Sequence, residues 1–169
     1  MKENFTKWVK FDDRELLSND GFNLQGIYAI AFDPGGKLLG KDFKYDKKIV
    51  YFGRTCQETG FKNRLKFFSN VIYKGKGAHG GAKRFKPFYE KEKIKDWQKN
   101  LYISIWSFKG YEKNIYKQGS FDKENTQKVI KNLTIMGDIC KAEYHCFSKF
   151  VSEHGRMPQF NNQKDSPKE

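Results

Sequence analysis

Three short stretches of this chain carry strand patterns, and three longer ones repeat apolar residues at helical spacing. Residues 26–32 (GIYAIAF) are an apolar, β-prone run closed by Asp33-Pro34-Gly35-Gly36, which favours a turn. Residues 48–55 (KIVYFGRT) read as a second strand, with a polar hairpin loop over 37–47 between the two. The alternation in 101–108 (LYISIWSF) predicts a third. Phe61, Leu65, Phe68 and Ile72 fall at steps of three and four, which predicts a helix over 60–73. Another is expected near 83–95, and residues 122–153 read as two helices broken at Met136-Gly137-Asp138, with Asp138 as N-cap of the second. The mixed N-terminal stretch to Leu24 leaves room for a short helix around 13–17. The order predicts an α/β (α+β) fold, a small, mainly antiparallel three-stranded sheet flanked by helices. Residues 1–161 are expected to form one domain, and 162–169 a flexible tail.

Two charged residues sit badly in these patterns. Ile139, Ala142, Cys146, Phe147 and Phe150 form the apolar stripe of the last helix, and Glu143 lies four residues from both Ile139 and Phe147. A carboxylate on a core-facing stripe needs a cation or a metal beside it. The alternatives are a buried salt bridge or a stripe-edge glutamate reaching solvent. Arg64 stands between Phe61 and Phe68 on its own apolar side, where it either snorkels outward or presents its fork to a phosphate. Tyr28 shares a strand face with Ile30 and Phe32, and Tyr51 shares one with Ile49 and Gly53. Core packing is the default for tyrosines in a chain with nine of them, though Gly53 leaves open space beside Tyr51.

Charge narrows the partner. Lys and Arg total 33 against 20 Asp and Glu, a net charge of +13, which favours a polyanion, nucleic acid first. Residues 74–86 (KGKGAHGGAKRFK) interleave cations with glycines, so backbone and charge can approach phosphates closely. Lys74, Lys76, His79, Lys83 and Arg84 are the expected contacts; the bland alternative is a solvated loop. No apolar run approaches the ~20 residues that span a bilayer. Residues 1–11 do not read as a signal peptide, and Cys56, Cys140 and Cys146 match no zinc spacing. The three read as reduced thiols of a cytoplasmic protein, with Cys140 and Cys146 buried.

Gly26-Ile27-Tyr28 followed by Tyr51-Phe52-Gly53 resembles the two half-motifs that name the GIY-YIG nuclease superfamily. Arg64, eleven residues past Gly53, stands where that family places its catalytic arginine, and Glu143 in KAEYHCF resembles the family's metal-binding glutamate. Asn161, in Pro158-Gln159-Phe160-Asn161, looks like its closing asparagine. The likeness therefore runs from Gly26 to Asn161. Tyr28 and Tyr51 are 23 residues apart, more than is usual in the family, and the loop over 37–47 resembles insertions in its restriction enzymes. Phe68 stands where the family often has His or Tyr, so the loop containing His79, or Lys83, is expected to supply the missing polar group.

The resemblance implies a metal-dependent DNA endonuclease of the type II restriction or phage kind. Its expected catalytic residues are Tyr28, Tyr51, Arg64, Lys83, Glu143 and Asn161. Glu143 would hold Mg²⁺ (or Mn²⁺), and Arg64 would grip the phosphate. Tyr28 is expected as general base, with its pKa brought down by Lys83 or the metal, and Tyr51 as the positioning hydroxyl. Asn161 would buttress the site. The substrate is expected to be double-stranded DNA, and a homodimer would allow both strands to be cut. The rivals are a catalytically inactive nucleic-acid-binding protein on the same fold, with Phe68 as a sign of decay, and a basic RNA-associated protein with accidental motifs.

Overall fold

The computed structural model describes residues 2–77, 79–113 and 123–161. Its centre is an antiparallel sheet of four strands, not three: β1 (Val9–Lys10), β2 (Gln25–Phe32), β3 (Ile49–Thr55) and β4 (Leu101–Phe108), in the order β1-β4-β2-β3. The added strand is two residues long, too short to show alternation. It pairs Val9 with Ile103 and Lys10 with Tyr102, and the flanking Trp8 and Phe11 are fully buried. The three expected strands lie where their patterns place them.

Alternation along β2 splits the interior into two layers. Tyr28 and Ile30 face α1 (Gly60–Lys74), α2 (Phe85–Lys91) and the aromatic residues between them. Ile27, Ala29 and Ala31 face α3 (Lys123–His154) together with Trp8 and Phe52. Ile49 was expected beside Tyr51 but belongs to the second layer. Ile30 opposes Tyr51 while Ala31 opposes Ile49, so Val50 is an extra residue that turns the strand over.

The helices differ from expectation in two places. Residues 82–91 form a short 3₁₀ turn (Ala82–Arg84) running into α2, which ends at Lys91 rather than 95. Helix α3 is continuous, with Gly137 and Asp138 exposed inside it, so Asp138 caps nothing. The buried stripe Asn132, Ile139, Ala142, Cys146 and Phe150 runs across the glycine, and packing outweighs the ~1 kcal/mol that an interior glycine costs. Asn132 also clamps the chain after β4: its Oδ1 accepts from the Glu112 N–H and its Nδ2 donates to the Glu112 carbonyl, both at 2.8 Å. The short N-terminal helix is a 3₁₀ segment over Arg14–Asp20. Cys146 is buried, which pushes its thiol up to about 12, whereas Cys140 is half-buried rather than buried as expected. No described helix is long and apolar enough to cross a membrane. The tail over 162–169 lies outside the described residues.

Candidate active site

The two tyrosines meet over a glycine. Tyr28 and Gly53 are cross-strand partners, so a side chain at 53 would have to share the space of the Tyr28 ring. A Cβ there would lie 2.5 Å from the Tyr28 hydroxyl and 2.7 Å from the Tyr51 ring. Gly81 does the same from the opposite side, where a Cβ would sit 2.5 Å from the Tyr51 hydroxyl. Two glycines thus let two phenols converge, with ring centroids 6.0 Å apart. Tyr28 is fully buried and Tyr51 nearly so.

His79 completes the arrangement. It was expected at a DNA surface or as a replacement for the polar group missing at Phe68. The structure places it inside, 1% exposed, with its ring edge against Phe68 at 5.0 Å. Its Nδ1 accepts the Ala82 N–H at 3.2 Å, so the proton of the neutral ring is on Nε2, which donates to the Tyr28 hydroxyl at 3.0 Å. Burial and the charge of Arg64 push its pKa down to about 3, which keeps the ring neutral. The loop therefore returns a histidine to the neighbourhood of Phe68. Nothing in local sequence showed this, because Tyr28 and His79 are 51 positions apart.

Arg64 is the common cation. Its charge acts on Tyr28, Tyr51, His79 and Glu143, and its half-buried side chain carries an Nε–H with no partner. A buried donor without an acceptor is costly, and a phosphate oxygen would satisfy it. Burial raises the Tyr28 phenol far above the ordinary value, and Tyr51 adds to the rise while Arg64 opposes it. Tyr51 is raised too, by burial first, with Arg64 opposing and Glu143 reinforcing. The expected depression of Tyr28 is thus absent in the free protein, where desolvation wins. Lys83 does not supply it. Its side chain is exposed, and its contact with the cluster is the backbone N–H, which donates to the His79 carbonyl at 3.2 Å.

Glu143 reaches the same place from the other layer. Helix α3 covers Phe52 and Ile27, and Glu143 projects from it beside edge strand β3 to form an ion pair with Arg54. Its carboxylate is 14% exposed, against 40% for Arg54. Burial raises its pKa, and Arg54 and Arg64 pull it back. Arg54 was missed, though a signal existed. It is the charged residue of the second strand, one position past Gly53 and so on the face of Phe52, where a stripe-facing glutamate would meet it.

Asn161 closes the edge of the sheet. Its Oδ1 accepts from the Phe52 N–H at 2.7 Å and its Nδ2 donates to the Phe52 carbonyl at 2.8 Å, so one side chain substitutes for a neighbouring strand. The Phe160 N–H donates to the Val50 carbonyl at 2.9 Å, and Arg84 holds the Phe160 carbonyl at 2.8 Å. The residue between Tyr51 and Gly53 is thereby fixed by its backbone.

Tyr28, Tyr51, Arg64, His79, Glu143 and Asn161 therefore come together at β3, with Arg54 and Arg84 beside them. Lys74, Lys76 and Lys83 are exposed, and Arg84 is half-buried. Two cavities of about 520 and 410 Å³ lie elsewhere, one at Asn4 and Ser107 and one at Trp8 and Lys48. The cluster has buried phenols beneath partly exposed charges. Among the described residues no three His, Cys, Asp or Glu side chains form a metal cage. One carboxylate is nevertheless compatible with Mg²⁺, which is commonly held by one or two carboxylates with waters and substrate phosphate. No protein-family model, curated protein or solved structure matches the chain.

Proposed function

We propose that the chain is a metal-dependent endonuclease that hydrolyses phosphodiester bonds in double-stranded DNA, of the GIY-YIG type and of the restriction or phage kind. The observation that carries this reading is the convergence of Tyr28, Tyr51, Arg64 and Glu143 from four separate elements, with an unpartnered Arg64 Nε–H among them. Packing alone gives little reason to bury two phenols and a histidine beside a half-buried arginine.

Each group has work suited to its place. Arg64 binds the scissile phosphate and offsets charge that grows on its oxygens. His79, donating from Nε2, fixes the Tyr28 oxygen as an acceptor and leaves the phenol proton free to point elsewhere. Tyr28 orients the attacking water. Once its own phenol proton has left to solvent under the field of Arg64 and the bound cation, it takes a proton from that water, and Tyr51 holds the water or phosphate in register. Burial makes a phenolate unfavourable in the free protein, so proton transfer to Tyr28 belongs to the substrate-bound state. Glu143 would hold a divalent cation, Mg²⁺ or Mn²⁺, which supplies positive charge at the phosphate and the leaving oxygen. Asn161 keeps Phe52, and with it both β3 motif residues, in place.

The test is plasmid cleavage in Mg²⁺ by wild type and Glu143→Gln, with melting temperature measured alongside. Glu143→Gln is expected to fold and bind DNA but not cut. The ion-pair partner it abandons is 40% exposed and can turn to water, so the loss of stability should be about 1 kcal/mol or less. A Glu143→Gln protein that still cuts refutes the mechanism. A wild type that binds DNA without cutting favours the rival, a binding protein on the same fold.

A further inference from the structure

The Arg54–Glu143 ion pair occupies the one carboxylate that the described residues bring to the cluster. Both side chains have reasons to be there, and the reasons differ. Glu143 is held by α3, whose buried Ile139, Ala142 and Cys146 fix its direction within one turn on either side. Arg54 comes from β3, where Asn161 clamps the backbone two residues earlier, and its guanidinium is 40% exposed. The carboxylate is therefore fixed and the guanidinium is the movable partner. Among the described residues Glu143 has one hydrogen-bond donor, Arg54 Nη1 on Oε2. A half-buried carboxylate with neither cation would be left with an uncompensated charge.

Resting on the proposed function, we infer that Arg54 is a positioning residue that holds Glu143 as a stand-in cation and gives up the carboxylate when a divalent metal binds. A guanidinium and a doubly charged ion on one carboxylate repel each other, so the two occupants compete. Arg54 keeps Glu143 aimed at the β3 edge while no metal is bound, and it weakens metal binding by the strength of its own contact. By linkage, metal lowers the affinity of Arg54 for Glu143 by the same factor. Once released, Arg54 adds positive charge near Glu143, on which Arg64 also acts.

The experiment uses Mn²⁺ as a spin probe on the full chain, without DNA, reading free Mn²⁺ by electron paramagnetic resonance. Wild type, Arg54→Gln, Arg54→Lys and Glu143→Gln are titrated, and the Mn²⁺-induced rise in melting temperature is recorded for each. Arg54→Gln should bind Mn²⁺ about 3- to 10-fold more tightly than wild type, as expected for loss of a competing, partly exposed ion pair. It should melt earlier without Mn²⁺ and recover more with it. Arg54→Lys keeps the charge and should stay near wild type, and Glu143→Gln should lose the site. Arg54→Gln binding with unchanged or weaker affinity, while Glu143→Gln loses the site, overturns the exchange and leaves the metal assignment standing. Absence of Glu143-dependent Mn²⁺ binding in both wild type and Arg54→Gln overturns the exchange, and the metal assignment is then decided by Mg²⁺-dependent plasmid cleavage. Should Arg54→Gln fail to fold, Arg54→Lys carries the decision: its wild-type affinity supports competition by charge, and loss of the site refutes it.

Discussion

The two layers of this molecule handle buried polarity in opposite ways. On the α3 side the sheet carries Ile27, Ala29, Ala31 and Phe52, packed on Ile139, Ala142 and Phe150, and the buried side chains of Asn132 and Ser104 direct their polar atoms to backbone groups. Its one carboxylate near the site, Glu143, stays at the margin beside an arginine that water can reach. On the α1 side Tyr28, His79 and Tyr51 are set deep within phenylalanines, and glycines at 53 and 81 make room for the rings. The first layer would survive exchange of its parts for similar apolar residues. The second would not, because its hydroxyls and imidazole sit where only hydrogen bonds to one another make burial tolerable. Stability alone explains the first layer; the second calls for a further reason, and the proposed chemistry on a bound phosphate would provide one.

The largest effect should come from the deepest hydroxyl. Tyr28→Phe keeps the ring and its packing, removes the acceptor of the His79 Nε2–H, and should lower cleavage by about 10²–10⁴ with DNA affinity unchanged. Removing Phe52 packing on the other layer would instead be read in melting temperature. If Tyr28→Phe cuts at nearly the wild-type rate while Tyr51→Phe is dead, the proton acceptor is Tyr51, the less buried of the two.

The second effect is on acid stability. A histidine held neutral with a pKa of about 3, against 6.5 when unfolded, binds a proton more readily in the unfolded chain. Its contribution is complete above pH 6.5 and is lost as pH falls from there towards 3, at up to about 1.4 kcal/mol per pH unit. Unfolding free energies of His79→Gln and wild type, measured by urea between pH 7.5 and 4, should converge as the pH drops. Parallel curves would mean that His79 takes up its proton alike in the folded and unfolded chain, and so is not held neutral by burial.

How much of this contrast could be read in the chain follows from which interactions are local. Periodicity exposed β2, β3, β4 and α1, since each buries a whole face and repeats its pattern over seven residues or more. It exposed Glu143 and Arg64 as charged residues on apolar stripes. It did not expose β1, where Val9 and Lys10 repeat nothing, nor the extra residue at Val50 that moves Ile49 to the opposite layer. Gly137 with Asp138 has the local chemistry of a break, yet burial of Asn132 on one side and Ile139 on the other holds α3 in one piece. The glycines and lysines around His79 make it a nucleic-acid contact in sequence, and the family resemblance makes its loop a substitute for the polar group missing at Phe68. Only the long-range approach of Tyr28 and Ala82 brings it inside.

A smaller and cleaner comparison uses the two clamping asparagines. Asn161 holds both backbone groups of Phe52, and Asn132 holds both of Glu112, with hydrogen bonds between 2.7 and 2.8 Å in all four cases. Asn→Asp at either place replaces a donor with an acceptor facing a carbonyl and should cost about 1–3 kcal/mol. The two differ in consequence, since Phe52 lies between Tyr51 and Gly53 while Glu112 lies beyond β4. Asn161→Asp should therefore lower cleavage beyond what its fraction folded explains, and Asn132→Asp should not. Equal activity per folded molecule would reduce Asn161 to an edge cap.

The smallest expected effect asks which layer faces DNA. Lys76 is exposed in the glycine-rich loop that also carries His79 and Gly81, next to the phenols. Lys44 is equally exposed, but in the loop whose Phe43 and Tyr45 pack on the α3-side core. Each phosphate contact contributes roughly 0.9 to the slope of log affinity against log salt. Lys76→Ala should therefore flatten that slope by about 0.9 in a filter-binding titration with duplex DNA, and Lys44→Ala should leave it alone. Over a doubling of salt this is about a twofold difference in affinity, so the slope must be taken across several concentrations. The reverse result would put DNA against the α3 side, away from Tyr28 and Arg64, and would break the link between the basic loop and the phenol cluster. A wild-type slope near zero would remove nucleic acid as the partner, and the +13 charge would then be a property of the surface alone.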